Sequence, residues 1–250
     1  AAALGTGTLA PGGMCVAAGW SAPAQRVTPA PVFDPARRTW TGLHITPGAW
    51  MCEANPGETG GAVEAVRRLL RAGSREGFER LAASVGEEAG MLTALWGPRA
   101  QDMSSPGMSL GGLLLPVPLT VDGLSRAGVA RAALANAAFA VAECVYLTDE
   151  VAGSPHEGVA LAGGMAASST FAGLLADVLD APVAVHGADA TLRGAALTAS
   201  RPPEAWAEAA ARLAAGARMQ EPGPGGAETR ECYERWLALR AVLDEAASRL

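Results

Sequence analysis

Three places in the chain put glycine where a strand ends or a helix begins, and each could hold an anion or a flat ring against bare main chain. In "VALAGGMAASSTFAGLLADVL" (159 to 179) an apolar run ends at Gly163 and Gly164, Met165 follows, and a helix-period pattern opens after Ser168 and Ser169. Glycine there lets a ligand approach the backbone with no Cβ in the way. The helix behind it offers serine caps and a dipole that favours phosphate oxygens or ring acceptors. In "AAGWSAP" (17 to 23) an apolar strand from Met14 to Ala18 runs into Gly19, Trp20 and Ser21, a turn whose hydroxyl and exposed amides suit a phosphate. "GETGG" (57 to 61) leads straight into a helical pattern, which makes Gly61 a third junction. A tight turn also needs glycine for its dihedral angles, so each junction has a purely structural reading beside the functional one.

Other chemistry is poorly served. None of the 19 basic residues is a lysine, which removes the P-loop lysine, the protein-kinase strand lysine and any Schiff base. "GTGTLAPGG" (5 to 13) imitates a dinucleotide fingerprint, but a fingerprint follows a strand and opens a helix, and Pro11 with its neighbouring glycines forbids that helix. Ser154 and His156 are neighbours, yet no G-x-S-x-G elbow presents a serine. Cys15, Cys52, Cys144 and Cys232 are far apart with no C-x-x-C spacing, which argues against zinc and against a disulfide framework. His44, His156 and His186 lack a partner at ligand spacing, and Asp149, Glu150 and His156 read as solvated side chains of a loop; no metal site is expected.

The elements that must position the junctions follow from periodicity. From residue 1 to about 50, short apolar runs alternate with glycine and proline, a β-rich start. Helices are expected over 60–73, closed by Gly73, and from Ser74 to about Val85, then mostly loop over 86–112. A strand-like "LLLPVPL" precedes a long alanine-rich helix and the strand "GVALAG". A serine-capped helix, the strand "APVAVHG" and a helix capped by Asp189 follow, then two helices over 203–217 and about 226–249. Strands alternating with such helices imply βαβ crossovers and an at least partly parallel sheet, in one domain over 1–250.

Composition narrows the partners. Half of the 250 residues are apolar, enough for a substantial core, and the net charge of −6 comes without a contiguous basic run, so no nucleic-acid partner is expected. "AALANAAFAVA" (132 to 142) is well short of the roughly 20 residues that span a bilayer and reads as a buried helix, so no membrane partner is expected. No basic region precedes an apolar stretch at the N-terminus, and the expected location is the cytoplasm.

The order "GMCVAAGWSA", "GETGGAVEAVRRLL", "RAALANAAFAV", "VALAGGMAASSTFAGLLADVLDAPVAV" and "DATLRGAALTA" resembles the C-terminal domain of the FGGY carbohydrate kinases. The resemblance covers nearly the whole chain and is most specific over 159–199. It implies a ribonuclease H-like domain of the actin and Hsp70 type, a mixed five-stranded sheet flanked by helices, with ATP and sugar meeting in a cleft against a second domain. Carried over by position, the phosphate turn looks like Gly19, Trp20 and Ser21, and the helix-start glycine near the phosphates looks like Gly61. The adenosine glycine pair looks like Gly163 and Gly164, with Met165 beside the base and Ser168 contacting it. Gly194 looks like a packing glycine. Trp20 departs from the family's threonine, and the family's catalytic aspartate falls just before Ala1.

The resemblance thus implies the ATP-binding half of a sugar or polyol kinase. ATP would carry Mg²⁺ without a dedicated protein site, and turnover would need an N-terminal sugar-binding domain or partner chain. The face meeting that domain is expected to be apolar, which predicts self-association, a homodimer being one form of it, or poor solubility. The alternative is a non-catalytic actin-like module that senses nucleotide or contacts another protein.

Overall fold

The computed structural model describes residues 1–85, 92–97, 99–101, 110–115, 117–119 and 124–249. In chain order the elements are α1 (Ala2–Thr6), β1 (Gly13–Ala17), β2 (Ala24–Thr28), β3 (Trp40–Leu43), β4 (Trp50–Ala54), α2 (Thr59–Leu69) and α3 (Arg75–Ala83). Then come β5 (Thr93–Leu95), β6 (Gly112–Leu114), α4 (Arg126–Ala152), β7 (Gly158–Ala162), α5 (Ser169–Leu179) and β8 (Val183–Val185). The last are α6 (Ala190–Ser200), α7 (Trp206–Ala214), β9 (Arg218–Gln220) and α8 (Gly226–Ala247).

The main sheet runs β3-β4-β2-β1-β7-β8-β9. β1, β7 and β8 are parallel, while β2 is antiparallel to both β1 and β4. The five strands expected form its centre, β4-β2-β1-β7-β8, and β3 and β9 add an antiparallel edge on either side. β1 and β7 lie at the middle with Met14, Cys15, Val16, Val159, Leu161 and Ala162 buried, the continuous apolar pattern of strands covered on both faces. Successive side chains of a strand point to opposite faces. Met14 meets Thr148 of α4, its sulfur 3.9 Å from the hydroxyl, and Cys15 meets Thr6 of α1 at 3.6 Å. One face is therefore covered by α4 with α2, α3, α5 and α8 packed around it, the other by α1, α6 and α7.

α4 is the core helix. Ser125 caps it by accepting from the Gly128 N–H, and it stops at Gly153 in the left-handed region (φ 71°). By length and composition it could cross a membrane, but 78% of its most apolar window is buried inside the fold. Phe139 packs edge-on against Tyr233 and Trp236 of α8, and the Trp236 indole N–H donates to the Ala94 carbonyl (3.1 Å) and to Asn136 Oδ1 (3.0 Å).

Several expectations change. The β-rich start begins with α1, whose last residues are the first of "GTGTLAPGG", so this glycine run ends a helix and feeds a strand, the reverse of a dinucleotide fingerprint. α1 crosses α6 at two glycines: a Cβ on Gly5 would stand 1.7 Å from the Ala190 carbonyl oxygen, and one on Gly194 1.9 Å from that of Ala1, which makes Gly194 a packing glycine. The helix expected over 60–73 ends at Leu69, before Gly73, because Arg71 takes a positive φ. Much of the expected loop 86–112 lies outside the described residues, and its described part includes β5, which pairs with β6. Asp189 does not cap α6 through its side chain, which pairs with Arg193 one turn on (2.8 Å).

Asp149 and Glu150 belong to α4 rather than to a loop. Arg26 of β2, only 3% exposed, draws Asp149 inward as its partner and also donates to Ser154 Oγ (3.0 Å) and the Pro155 carbonyl (2.9 Å). His156 Nδ1 stands 2.7 Å from the other Asp149 oxygen. Of the three side chains expected to be solvated, only Glu150 remains at the surface, paired with Arg38 (2.8 Å).

Candidate nucleotide cradle

The carboxyl ends of β1, β4 and β7 lie at one edge of the sheet, because β1 and β7 are parallel and β4, like β1, opposes β2. Such an edge is where open α/β sheets collect ligands. All three glycine junctions converge there. Ala18 donates to the Ala162 carbonyl (2.7 Å) and accepts from the Met165 N–H (3.0 Å), tying the end of β1 to the turn after β7. The Gly61 N–H donates to the Trp20 carbonyl (3.3 Å), tying the start of α2 to the β1–β2 turn, which the Gly19 N–H closes by donating to the Ser21 carbonyl (2.7 Å).

The junction glycines divide by what a side chain would meet. Gly163 has φ 96°, and a Cβ on it would stand 2.4 Å from the Ala18 oxygen. A Cβ on Gly60 would stand 2.1 Å from the Gly19 oxygen, with the Met165 sulfur 3.5 Å away; one on Gly61 would stand 2.9 Å from the Trp20 ring. Gly163 and Gly60 are required by the backbone or by main-chain packing, and Gly61 is covered by the Trp20 ring. Gly19 and Gly164 are not: the nearest atoms are the Ser21 oxygen at 3.8 Å and Arg75 Nη1 at 3.7 Å, ordinary contacts, and neither has a positive φ. The bare surface at these two positions is the cradle that added side chains would fill.

The polar surroundings differ from expectation. Ser168 caps α5 by accepting from the Phe171 N–H (3.0 Å), but its own hydroxyl proton goes to Glu79 Oε2 (2.6 Å). Glu79 Oε1 accepts from Ser169 Oγ (3.0 Å) and the Thr170 N–H (2.7 Å). The N-terminus of α5, expected to favour phosphate oxygens or ring acceptors, is thus filled by a carboxylate of α3. The Gly61 amide is committed to Trp20, whose indole is 64% exposed beside it. Gly60, Glu79 and Arg75 were not singled out from sequence. The only trace of the last two is their spacing of four residues, which sets them on one face of α3.

Burial pushes the Glu79 carboxyl up, and hydrogen bonds from Ser168, the Thr170 main chain and Ser169 more than offset this, holding it below the usual glutamate range. A depressed carboxylate stabilises the fold above its unfolded-state pKa, and the contribution is lost as pH falls through the folded-state value. Glu79→Gln is therefore expected to flatten the acid limb of stability against pH, measured by urea unfolding from neutral pH down through and below the ordinary glutamate range. An unchanged limb would show that the α3–α5 contact carries no charge-dependent stability.

A five-strand core of order β4-β2-β1-β7-β8, layered between helices, defines a ribonuclease H-like domain of the actin and Hsp70 type. A sequence model of the FGGY family of carbohydrate kinases, C-terminal domain, matches residues 16–201, and the chain belongs to that family. Its structure is similar to that of xylulose kinase from Rhodospirillum rubrum (TM-score 0.75, 23% identity, 97% of this chain and 49% of that one). It is also similar to a xylulose kinase from Brucella ovis (TM-score 0.76, 21% identity, 96% and 50%). A third is Plasmodium falciparum glycerol kinase, solved with ADP (TM-score 0.75, 13% identity, 97% and 49%). The chain therefore spans about half the length of these kinases. No curated protein matches it significantly by sequence.

Proposed function

We propose that this chain is the ATP-binding half of a cytoplasmic sugar or polyol kinase. In this reading the adenosine lies flat on the bare main chain of Gly164, with Gly163 and Met165 shaping the turn beneath it and Gly19, Trp20 and Ser21 forming the phosphate side. The observation that carries it is that Gly19 and Gly164, at the edge where the family's cleft lies, are glycines that neither the backbone nor the packing requires.

In this reading Mg²⁺ is carried by the phosphates of ATP. Phosphoryl transfer depends on in-line positioning and charge neutralisation. The sugar site is assigned to an N-terminal domain or partner chain, and turnover requires its presence. Exposed apolar side chains include Trp20 at the cradle and Leu43, Leu69, Leu192 and Val242 on β3, α2, α6 and α8.

Calorimetry with ADP tests the site. The unaltered chain is expected to bind, and Gly164→Trp to weaken binding at least thirtyfold, about 2 kcal/mol, with an unchanged melting temperature. Equal affinity in the variant would place the nucleotide elsewhere, for example in the cavity of about 440 Å³ bordered by Phe139, Leu174 and Trp236.

A second reading, a nucleotide-sensing module without turnover, is favoured by Trp20, whose indole packs on Gly61 where the family has a hydroxyl. It predicts that ADP and ATP bind equally and that no domain added in front of the chain restores phosphoryl transfer.

A further inference from the structure

We infer that Arg75 lies over the exposed face of the bound purine and acts as a specificity-determining residue of the cradle; the inference rests on the nucleotide reading above. Arg75 is the first residue of α3, where the helix dipole disfavours a cation. The helix does not need it, since Ser74 already caps by accepting from the Gly77 N–H (3.0 Å). Among the described residues Arg75 makes no hydrogen bond or ion pair, whereas Arg26, Arg38, Arg67 and Arg240 are all paired. The acid one turn further on, Glu79, is committed to Ser168, Ser169 and Thr170.

That same commitment pins α3 to the start of α5 and brings the Arg75 guanidinium over Gly164. Its Nη1 lies 3.7 Å from the point where a Cβ of Gly164 would stand, and among the described residues outside the turn itself no other atom comes within 4 Å of that point. A planar, delocalised and weakly hydrated cation stacks well on aromatic faces. A ring resting on Gly164 would lift the guanidinium by about one contact distance, roughly 3.5 Å, which an exposed and unpaired side chain permits. Main chain below and guanidinium above then sandwich the ring. The contact grows with ring area, so purines are favoured over pyrimidines.

The test is calorimetry on the full chain with adenosine, ADP and CDP, comparing the unaltered protein with Arg75→Ala and Arg75→Lys, each checked by its melting curve. Arg75→Ala is expected to weaken adenosine and ADP by the same factor, about fivefold to tenfold, and CDP by less. Arg75→Lys, which keeps the charge and loses the plane, is expected to recover only part of the loss. A loss for ADP with adenosine unchanged would assign Arg75 to a phosphate and overturn the stacking role. Unchanged affinities for all three would overturn any role for Arg75 while leaving the cradle intact. Failure of the unaltered chain to bind any of them would overturn the cradle itself, and Arg75 with it.

Discussion

Gly163→Val is expected to lower stability by about 4 kcal/mol and to remove ADP binding, whereas Gly164→Ala, one residue on, is expected to change stability by less than about 0.5 kcal/mol. The asymmetry follows from geometry. Gly163 holds φ 96° with ψ near 180°, a region open in practice only to glycine, and a side chain there costs about 1–3 kcal/mol in strain alone. Its Cβ would also collide with the Ala18 carbonyl, which already accepts from Met165. Relieving that contact means parting the ends of β1 and β7, the two central strands, at a further cost of about 1–3 kcal/mol. Urea unfolding with both variants checks the contrast. Similar losses at the two positions would show that the turn works as a unit and that Gly164 is as structural as its neighbour.

Asp149→Ala is expected to be as damaging, by about 3–5 kcal/mol, because it leaves the guanidinium of Arg26 inside the fold without a counter-charge. The Ser154 hydroxyl and the Pro155 carbonyl would still accept from it, but neither carries a charge. His156 would lose its partner as well. Replacing both members of the pair, Arg26→Met with Asp149→Leu, is expected to restore most of the loss, since a buried ion pair gains little over well-packed apolar groups of similar size. A double-mutant cycle by chemical denaturation reads the coupling. A single-variant cost below about 1 kcal/mol would mean that water reaches Arg26 once Asp149 is gone.

Local pattern was enough for most of the fold. The apolar runs at Met14–Ala18 and Val159–Ala162 could be read as buried strands, and Ser74 and Ser168 mark helix starts that the structure keeps. β9 was missed because three residues with exposed side chains at Arg218 and Met219 carry no alternation to read, and they pair only because β8 has a free edge. α1 was missed because five residues without a side-chain cap fall below what a helical period can show; tertiary contact with α6 through Gly5 and Gly194 holds it.

The same division runs through the cradle. Sequence alone determined that glycine would stand at three strand and helix junctions, since backbone freedom is a property of the residue type and its immediate neighbours. Which of those glycines merely fit, and which leave open surface, was decided by tertiary structure, because it depends on atoms far away in the chain: Ala18 beneath Gly163, Trp20 against Gly61, Arg75 over Gly164. Charge behaves likewise. Nothing near Glu79 in the sequence announces that it fills the start of α5, or that Arg26 is buried against Asp149, because a carboxylate or guanidinium finds its partner only when separate elements pack together.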